Sequence, residues 1–360
     1  MTSLEAWLAL QEVLFAKPLL ARQFLARFPS PEAVLGGQPA GEPLSPIEQR
    51  ATLALRASVP WSQVQEDLRW CDSEGVHLLP LTHPAYPPLL AECPDAPLLL
   101  FAAGDPQVLG AGVRVAMVGA RKATPYGRAM AERIAGGLAQ AGVIVTSGLA
   151  IGIDGVCHRA ALAAGGNSVG VLGGGLACLH PRAHVGLARE LRAHGAVITE
   201  FPPHAAALAH HFPQRNRIIS GISLGVAVIE AAERSGSLIT ARHALEQGRL
   251  VFAVPGAVDH RGSQGPHALI KQGAILVESA ADLLAAIAPM TGQKIPGCQI
   301  RESDDMGRTL LPMMTTPQSL DTLVAASGVS AGAVLAWLTC MEQAGRVRAV
   351  PGNRYVSQGE

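Results

Sequence analysis

The fold turns on Val113-Arg114-Val115-Ala116-Met117-Val118-Gly119-Ala120-Arg121-Lys122-Ala123-Thr124-Pro125-Tyr126-Gly127. A run of apolar residues ends in a glycine and two cations, and Thr124 before Pro125 reads as a helix N-cap with proline at the first helical position. The segment therefore predicts strand, glycine turn and helix. The same cadence recurs, with apolar strands over 143–147, 168–172, 196–199, 224–229, 250–254 and 274–277 and helical patterns between most of them. Near-continuous apolar strands separated by helices are what a parallel sheet covered on both faces requires. Right-handed crossovers then give a doubly wound α/β fold.

Outward from this Rossmann-like block, assigned to residues 111–288, the patterns change. Leu4, Trp7, Leu8, Leu10, Val13 and Leu14, then Leu20, Phe24, Leu25 and Phe28, fall at helical spacing. A glycine- and proline-rich turn over 36–46 and a second helical run over 47–73 follow. Residues 1–75 are thus expected to form a small helical domain. Residues 76–110 are punctuated by prolines (80, 84, 87, 88, 94 and 97 among them) and read as a connector with one short strand over Leu98–Ala102. Residues 289–315 lose periodicity, as an exposed linker does. Residues 316–360 give a helix (317–327), a turn at Gly328, a helix (331–343) and two strands around Pro351-Gly352-Asn353, the order of a winged helix.

Composition narrows the function. Of 360 residues, 49% are hydrophobic and 16% charged, too apolar for a mostly disordered chain. No apolar run reaches the roughly 20 residues a bilayer span needs. The N-terminus has no basic n-region, so it does not read as a signal peptide, and a cytoplasmic location is expected. Six scattered cysteines without a Cys-x-x-Cys pair predict neither disulfide framework nor zinc cluster; they are expected to be small core residues. No metal or cofactor is expected. The net charge of zero hides an asymmetry: residues 1–110 hold 6 basic and 12 acidic residues, and residues 111–287 hold 16 and 10. The positive field lies over the central block.

Within that block the loops carry the chemistry. Free amides at the helix start behind Thr124, beside Arg121 and Lys122, suit a phosphate, although a tight turn with two surface cations reads the same way. The Gly-x-Gly-x-x-Gly fingerprint is absent, and the second strand ends in Thr146-Ser147-Gly148 without an acidic ribose ligand, which argues against an NAD enzyme. In Ser147-Gly148-Leu149-Ala150-Ile151-Gly152-Ile153-Asp154, Gly148 and Gly152 permit close backbone approach. Asp154 is read as a structural cap rather than an acid/base group with His158, because nothing nearby supplies a nucleophile. Gly173-Gly174-Gly175 leaves room for a phosphate on main-chain amides, or forms a flexible turn. Arg215-Asn216-Arg217 opens a helix, where an ordinary amphipathic start is the competing reading. Ser235-Gly236-Ser237 again offers hydroxyls and free amides at a helix N-terminus. All these clusters fall at carboxyl ends of strands, where open parallel sheets bind ligands. One positive rim is expected.

In order, Val118–Lys122, Ser147–Asp154, Phe212–Ile219, Ser235–Ala241 and Val254-Pro255-Gly256 resemble the DNA processing protein A (DprA/Smf) family. The resemblance implies an N-terminal helical SAM-like domain, a central extended Rossmann domain that binds single-stranded DNA and forms a homodimer, and a C-terminal winged helix. It implies a non-catalytic protein of natural transformation that protects incoming DNA. It also implies loading of RecA onto DNA coated by single-strand DNA-binding protein. Carried over by position, the DNA contacts fall on Arg121 and Lys122, on the glycine loops Gly119, Gly148, Gly152 and Gly173–Gly175, and on Arg215-Asn216-Arg217. The chain departs from the family pattern at Val13–Pro18, where a glycine-bearing turn is usual. It departs again at His180-Pro181 in place of Tyr-Pro and at Thr199-Glu200 in place of Ser-Glu. Two other readings stay open. A nucleotide-processing enzyme of the lysine-decarboxylase-like Rossmann group would use Glu230 as a carboxylate, but its Pro-Gly-Gly-x-Gly-Thr loop is missing. A duplex-binding transcription factor would rest on the winged helix with Arg346, Arg348 and Arg354.

Overall fold

The computed structural model describes all residues except 1, 16, 292–306, 308, 330–333, 336, 339, 340, 343–345, 351–353 and 358–360. Thr2 starts α1 (Ser3–Leu14) with a capping box, its side chain accepting from the Glu5 N–H while Glu5 reaches back to the Thr2 N–H. There follow α2 (Pro18–Arg27), α3 (Pro31–Gly36), α4 (Pro46–Ala57) and α5 (Trp61–Ser73). The single helical run expected over 47–73 is two helices, because Val59-Pro60 interrupts it.

The stretch expected as a connector is part of the sheet. It supplies β1 (His77–Pro80), α6 (Pro88–Ala91), β2 (Leu99–Gly104) and α7 (Gln107–Gly110). The alternating block then runs β3 (Arg114–Val118), α8 (Pro125–Gln140), β4 (Ile144–Ser147), α9 (Ile153–Ala163), β5 (Ser168–Val171), α10 (Val185–Ala193) and β6 (Gly195–Thr199). It continues through α11 (His211–Gly221), β7 (Gly225–Val228), α12 (Gly236–Glu246), β8 (Leu250–Ala253), α13 (Gln264–Lys271), β9 (Ile275–Leu276) and α14 (Ala280–Thr291). The strand order is β1-β2-β6-β5-β4-β3-β7-β8-β9, parallel from β6 to β9 and antiparallel where β2 joins β6 and β1 joins β2. The chain winds outward from β3 through β4, β5 and β6, then returns to the other side of β3 with β7. The switch point, where ligands of such sheets sit, lies between β3 and β7.

The helices α1–α5 do not form a core of their own. Ala6, Leu8 and Leu10 share one apolar cluster with Leu99 and Phe101 of β2 and with Leu149, Leu172 and Leu191. Gln11 donates to the Glu200 carbonyl at 2.9 Å. Five short helices have too little apolar surface to close on themselves, and the sheet face supplies the missing layer. A separate domain over 1–75 is thus corrected to one unit, Met1–Ile295. A second cluster, with Ile218, Ile219, Val226 and Ala241, fills the opposite face.

The second unit, Pro296–Glu360, has its own core of Leu310, Met314, Leu323, Val334, Trp337, Leu338, Met341 and Val347. Its three strands β10 (Gln318–Ser319), β11 (Val347–Val350) and β12 (Arg354–Ser357) pair in the order β10-β12-β11, and α15 (Leu320–Ser327) ends at Gly328 in the left-handed conformation. Leu310 and Met314 fall inside the expected linker yet belong to this core, and α14 runs past residue 288. The described part of 289–315 is therefore structured at both ends. The expected hairpin turn at 351–353 lies outside the described residues. Among the described residues no helix is long and apolar enough to cross a membrane, and no three His, Cys, Asp or Glu side chains cluster as metal ligands. Cys71, Cys93 and Cys157 are buried as expected, but Cys178 is exposed. Cys298 and Cys340 lie outside the described residues.

Candidate nucleic-acid interface

At the carboxyl end of β3 the chain passes Gly119, where a Cβ would stand 2.6 Å from Ile153 Cγ1. The loop after β4 clasps this turn from the other side. Gly152 has φ +92°, a Cβ there would lie 2.3 Å from the Ala120 carbonyl oxygen, and the Ile153 N–H donates to that same oxygen at 3.2 Å. Only glycine permits this approach. The two glycine loops act as one body, and Arg121 and Lys122 project from it, both exposed. The Arg121 guanidinium lies 5.4 Å from the centroid of the Phe212 ring, a cation–π arrangement. Among the described residues neither cation has a carboxylate partner.

The helix start behind Thr124 is capped as the sequence predicts, with Thr124 Oγ1 accepting from the Gly127 N–H at 3.0 Å. It is not an open anion site. The Glu230 carboxylate, arriving from the end of β7, accepts from the Thr124 N–H at 2.9 Å and from the Thr124 hydroxyl. A Cβ on Gly127 would sit 2.2 Å from its Cδ. The protein's own anion fills the α8 N-terminus and bridges the switch point. Both Glu230 oxygens are thereby engaged, which corrects its reading as a free reactive carboxylate.

Behind the loop after β4 lies the buried residue Asp154, whose Oδ2 accepts from the Gly148 N–H at 3.1 Å and the Ala150 N–H at 3.4 Å. Arg215 converges on the same glycine, with Nη1 donating to the Gly148 carbonyl at 2.7 Å and also to the Val171 carbonyl. Burial lifts the Asp154 carboxyl above its usual range and lowers the Arg215 guanidinium to about 10; the opposite charge of each offsets part of the effect on the other. Arg215 is 4% exposed and Arg217 is 6% exposed. Arg217 pairs with Glu200 and lies 3.7 Å from Asp95. The expectation that these two arginines contact phosphates is corrected on their burial: Arg215 Nη1 and Arg217 Nη2 are held by internal acceptors, and their remaining nitrogens face the protein interior, Arg215 Nε and Arg217 Nη1 without a partner among the described residues. Asn216 between them is half-buried and donates to the Gly236 carbonyl at 3.3 Å.

The triple glycine is also occupied by the protein itself. Added Cβ atoms would lie 3.0 Å from the Phe212 ring at Gly173, 3.1 Å from Ala207 at Gly174 and 2.0 Å from the Pro203 carbonyl at Gly175. The backbone that sits on these glycines is the 202–212 segment, not a ligand. Ser235 caps α12 through the Ser237 N–H, Ser237 is buried, and Gly236 is exposed with open space where a Cβ would stand. The structure therefore leaves Arg121, Lys122, Asn216 and the Ser235-Gly236 turn at the rim. Gly119, Gly148, Gly152 and Gly173–Gly175 shape the loops. The role of Phe212 as a platform was missed; its signal is an aromatic residue packed three positions before a buried arginine.

Two family models match the chain: DNA recombination-mediator protein A over residues 77–288 and the DprA winged helix domain over residues 301–353. Protein Smf of Escherichia coli is 48% identical over 244 residues, which span 66% of this chain and 65% of that protein. The X-ray structure of DNA processing protein A from Streptococcus pneumoniae superposes with a TM-score of 0.65 at 32% identity, covering 79% of this chain and 98% of the other. DNA processing protein A from Helicobacter pylori, described for its single-stranded DNA binding mode, has a TM-score of 0.54 at 24% identity over 60% of this chain and 96% of its own. It supports the fold.

Proposed function

The chain belongs to the DNA recombination-mediator protein A (DprA/Smf) family, and on that premise we propose that it holds single-stranded DNA at the carboxyl rim of its sheet. The observation that carries this reading is the exposed Arg121–Lys122 pair, fixed on a double glycine loop and left without a carboxylate partner among the described residues. The single-stranded DNA binding mode for which the Helicobacter pylori protein is described supports the ligand class. With aromatic residues at 4% of the chain, extensive ring stacking cannot dominate, so cations and main-chain amides carry the affinity.

The protein works by binding, without cutting the strand. It serves natural transformation by protecting incoming DNA and passing it to RecA, in exchange with single-strand DNA-binding protein, in the cytoplasm. As a homodimer it carries two rims, so that a strand held at one raises the effective concentration of a second segment at the other.

The test is fluorescence anisotropy with labelled oligothymidylate and duplex DNA. Wild type should prefer the single strand. Arg121→Ala combined with Lys122→Ala should lower affinity at least tenfold and reduce the salt slope by about 1.4, at about 0.7 per lost phosphate contact. Unchanged affinity and slope would remove the rim as the site. RecA nucleation on strands coated by single-strand DNA-binding protein should accelerate on adding wild type. No acceleration would remove the loading role.

A further inference from the structure

An open groove of about 1010 Å³ runs between α5 and α10. Its α10 wall presents Val185, Ala188, Arg189 and Arg192, spaced i, i+3, i+4 and i+7 and hence on one helix face. The buried stripe of the same helix, Leu187, Ala188 and Leu191, faces the core, so that Ala188 closes the groove floor and Val185, Arg189 and Arg192 stand outward of it. Arg182 joins from the turn before α10, while Trp70 of α5 and Glu74, the residue that caps it, form the opposite wall. Three arginines thus meet one carboxylate. Among the described residues no hydrogen bond or ion pair engages these guanidiniums, in contrast to Arg215 and Arg217. The half-buried Trp70 ring is held edge-on to His204 at 5.6 Å. The groove is continuous with the rim: His180 lines it, and the His180 ring lies 6.2 Å from Phe212, over which Arg121 sits.

We propose that a single DNA strand held at the Arg121–Lys122 rim continues over Phe212 and His180 into the α5–α10 groove, where Arg189 and Arg192 meet its phosphates and Trp70 offers a ring to a base. The proposal rests on the reading of the rim as a single-strand site. Free cations along one wall suit a phosphate backbone, and an aromatic face among small alanines suits a base, the pairing that single-strand channels use. The N-terminal helices then contribute to binding through α5.

The experiment compares labelled oligothymidylates of about 5 and about 16 nucleotides, lengths that span the range of known single-strand site sizes. Arg189→Ala with Arg192→Ala, on the outward face of α10, should leave short-strand affinity unchanged. It should weaken long-strand binding about tenfold and lower the long-strand salt slope by about 1.4. Tryptophan fluorescence of wild type should be quenched by the long strand and not the short one, with the quench lost in Trp70→Leu. If the double variant binds the long strand as wild type does while Arg121→Ala with Lys122→Ala loses both lengths, the groove is excluded and the rim stands. Equal weakening of both lengths by the α10 variant overturns the extension, because the groove would then belong to the first contact. If neither pair alters binding at either length, the rim reading fails and the groove falls with it.

Discussion

Arg215 lies directly beneath Gly148, with Nη1 2.7 Å from the glycine carbonyl oxygen and both terminal nitrogens within 2.8 Å of where a Cβ would stand. A residue from the helix before β7 therefore fixes the loop after β4, and no side chain larger than hydrogen fits between them. The arginine acts as a strut for the loop that in turn clasps Arg121.

Arg215→Ala should destabilise the protein by about 3 to 5 kcal/mol, because it leaves the buried Asp154 without its opposing charge and two carbonyls without a donor. Arg215→Lys should recover only part of this, since one ammonium cannot reproduce the planar fork. Chemical denaturation checks both. Arg121→Ala, at an exposed position, should leave the midpoint unchanged, so equal midpoints for the Arg215 and Arg121 variants would contradict the strut role.

Gly152→Ala tests the clasp. The substitution sets a Cβ 2.3 Å from the Ala120 carbonyl oxygen at a positive φ, which costs at least about 1 to 2 kcal/mol in backbone strain alone. The turn carrying Arg121 must move. Oligonucleotide affinity should drop although no cation is lost, while Gly165→Ala, also at positive φ but with open space around it, should leave binding intact.

Phe212→Leu keeps an apolar side chain over Gly173 but removes the ring beneath Arg121. An exposed cation–π contact is worth about 0.5 to 1 kcal/mol, so single-strand affinity should fall about two- to fivefold. A titration at fixed ionic strength reads this directly. A loss above about a hundredfold would mean that Phe212 stacks on DNA itself, at the upper end of what one base–aromatic contact supplies.

One buried and one half-buried group give opposite pH responses. Burial holds His158 down at about 3, with its Nδ1 2.8 Å from Ser168 Oγ. The unfolded chain binds that proton near pH 6.5, so this contribution is complete above 6.5 and is lost as pH falls towards 3, by up to about 1.4 kcal/mol per pH unit. Burial and the neighbouring Asp67 push Glu12 up to about 7. Its contribution is complete below about 4.5 and is lost as pH rises to about 7. Glu12→Gln should therefore stabilise at pH 8 by about 1 kcal/mol after allowance for solvent screening, and have little effect at pH 4. Denaturant midpoints across this range decide it; a Glu12→Gln gain that is larger in acid would reverse the assignment.

The sequence exposes some of these features and hides others for identifiable reasons. The strands at 114–118, 144–147, 168–171 and 225–228 were readable because a doubly covered strand must be apolar throughout. His77–Pro80 carries no strand signal, because four residues with a terminal proline have no period. The same local signature, a cation within two or three residues of a glycine or asparagine in the segment that follows a strand, marks Arg121, Lys122, Arg215 and Arg217 alike. What separates them is non-local: Glu200 and the Gly148 carbonyl claim the latter two, and Thr124 finds its carboxylate 106 positions away. These partners lie 17, 67 and 106 positions away, beyond the one or two turns over which local pattern acts, so burial of a guanidinium cannot be inferred from its neighbours in the chain.

The shared cluster of α1–α5 with β2 and α10 has a consequence for exchanging parts between relatives. Grafting a foreign first 75 residues onto this sheet is a core transplant, because the incoming helices must refill the share of the cluster with Phe101 and Leu191 that Leu8 and Leu10 now supply. A fragment beginning at residue 76 would lay that greasy surface open to water and self-adhere, so the two stretches must be inherited, trimmed or swapped as a matched set.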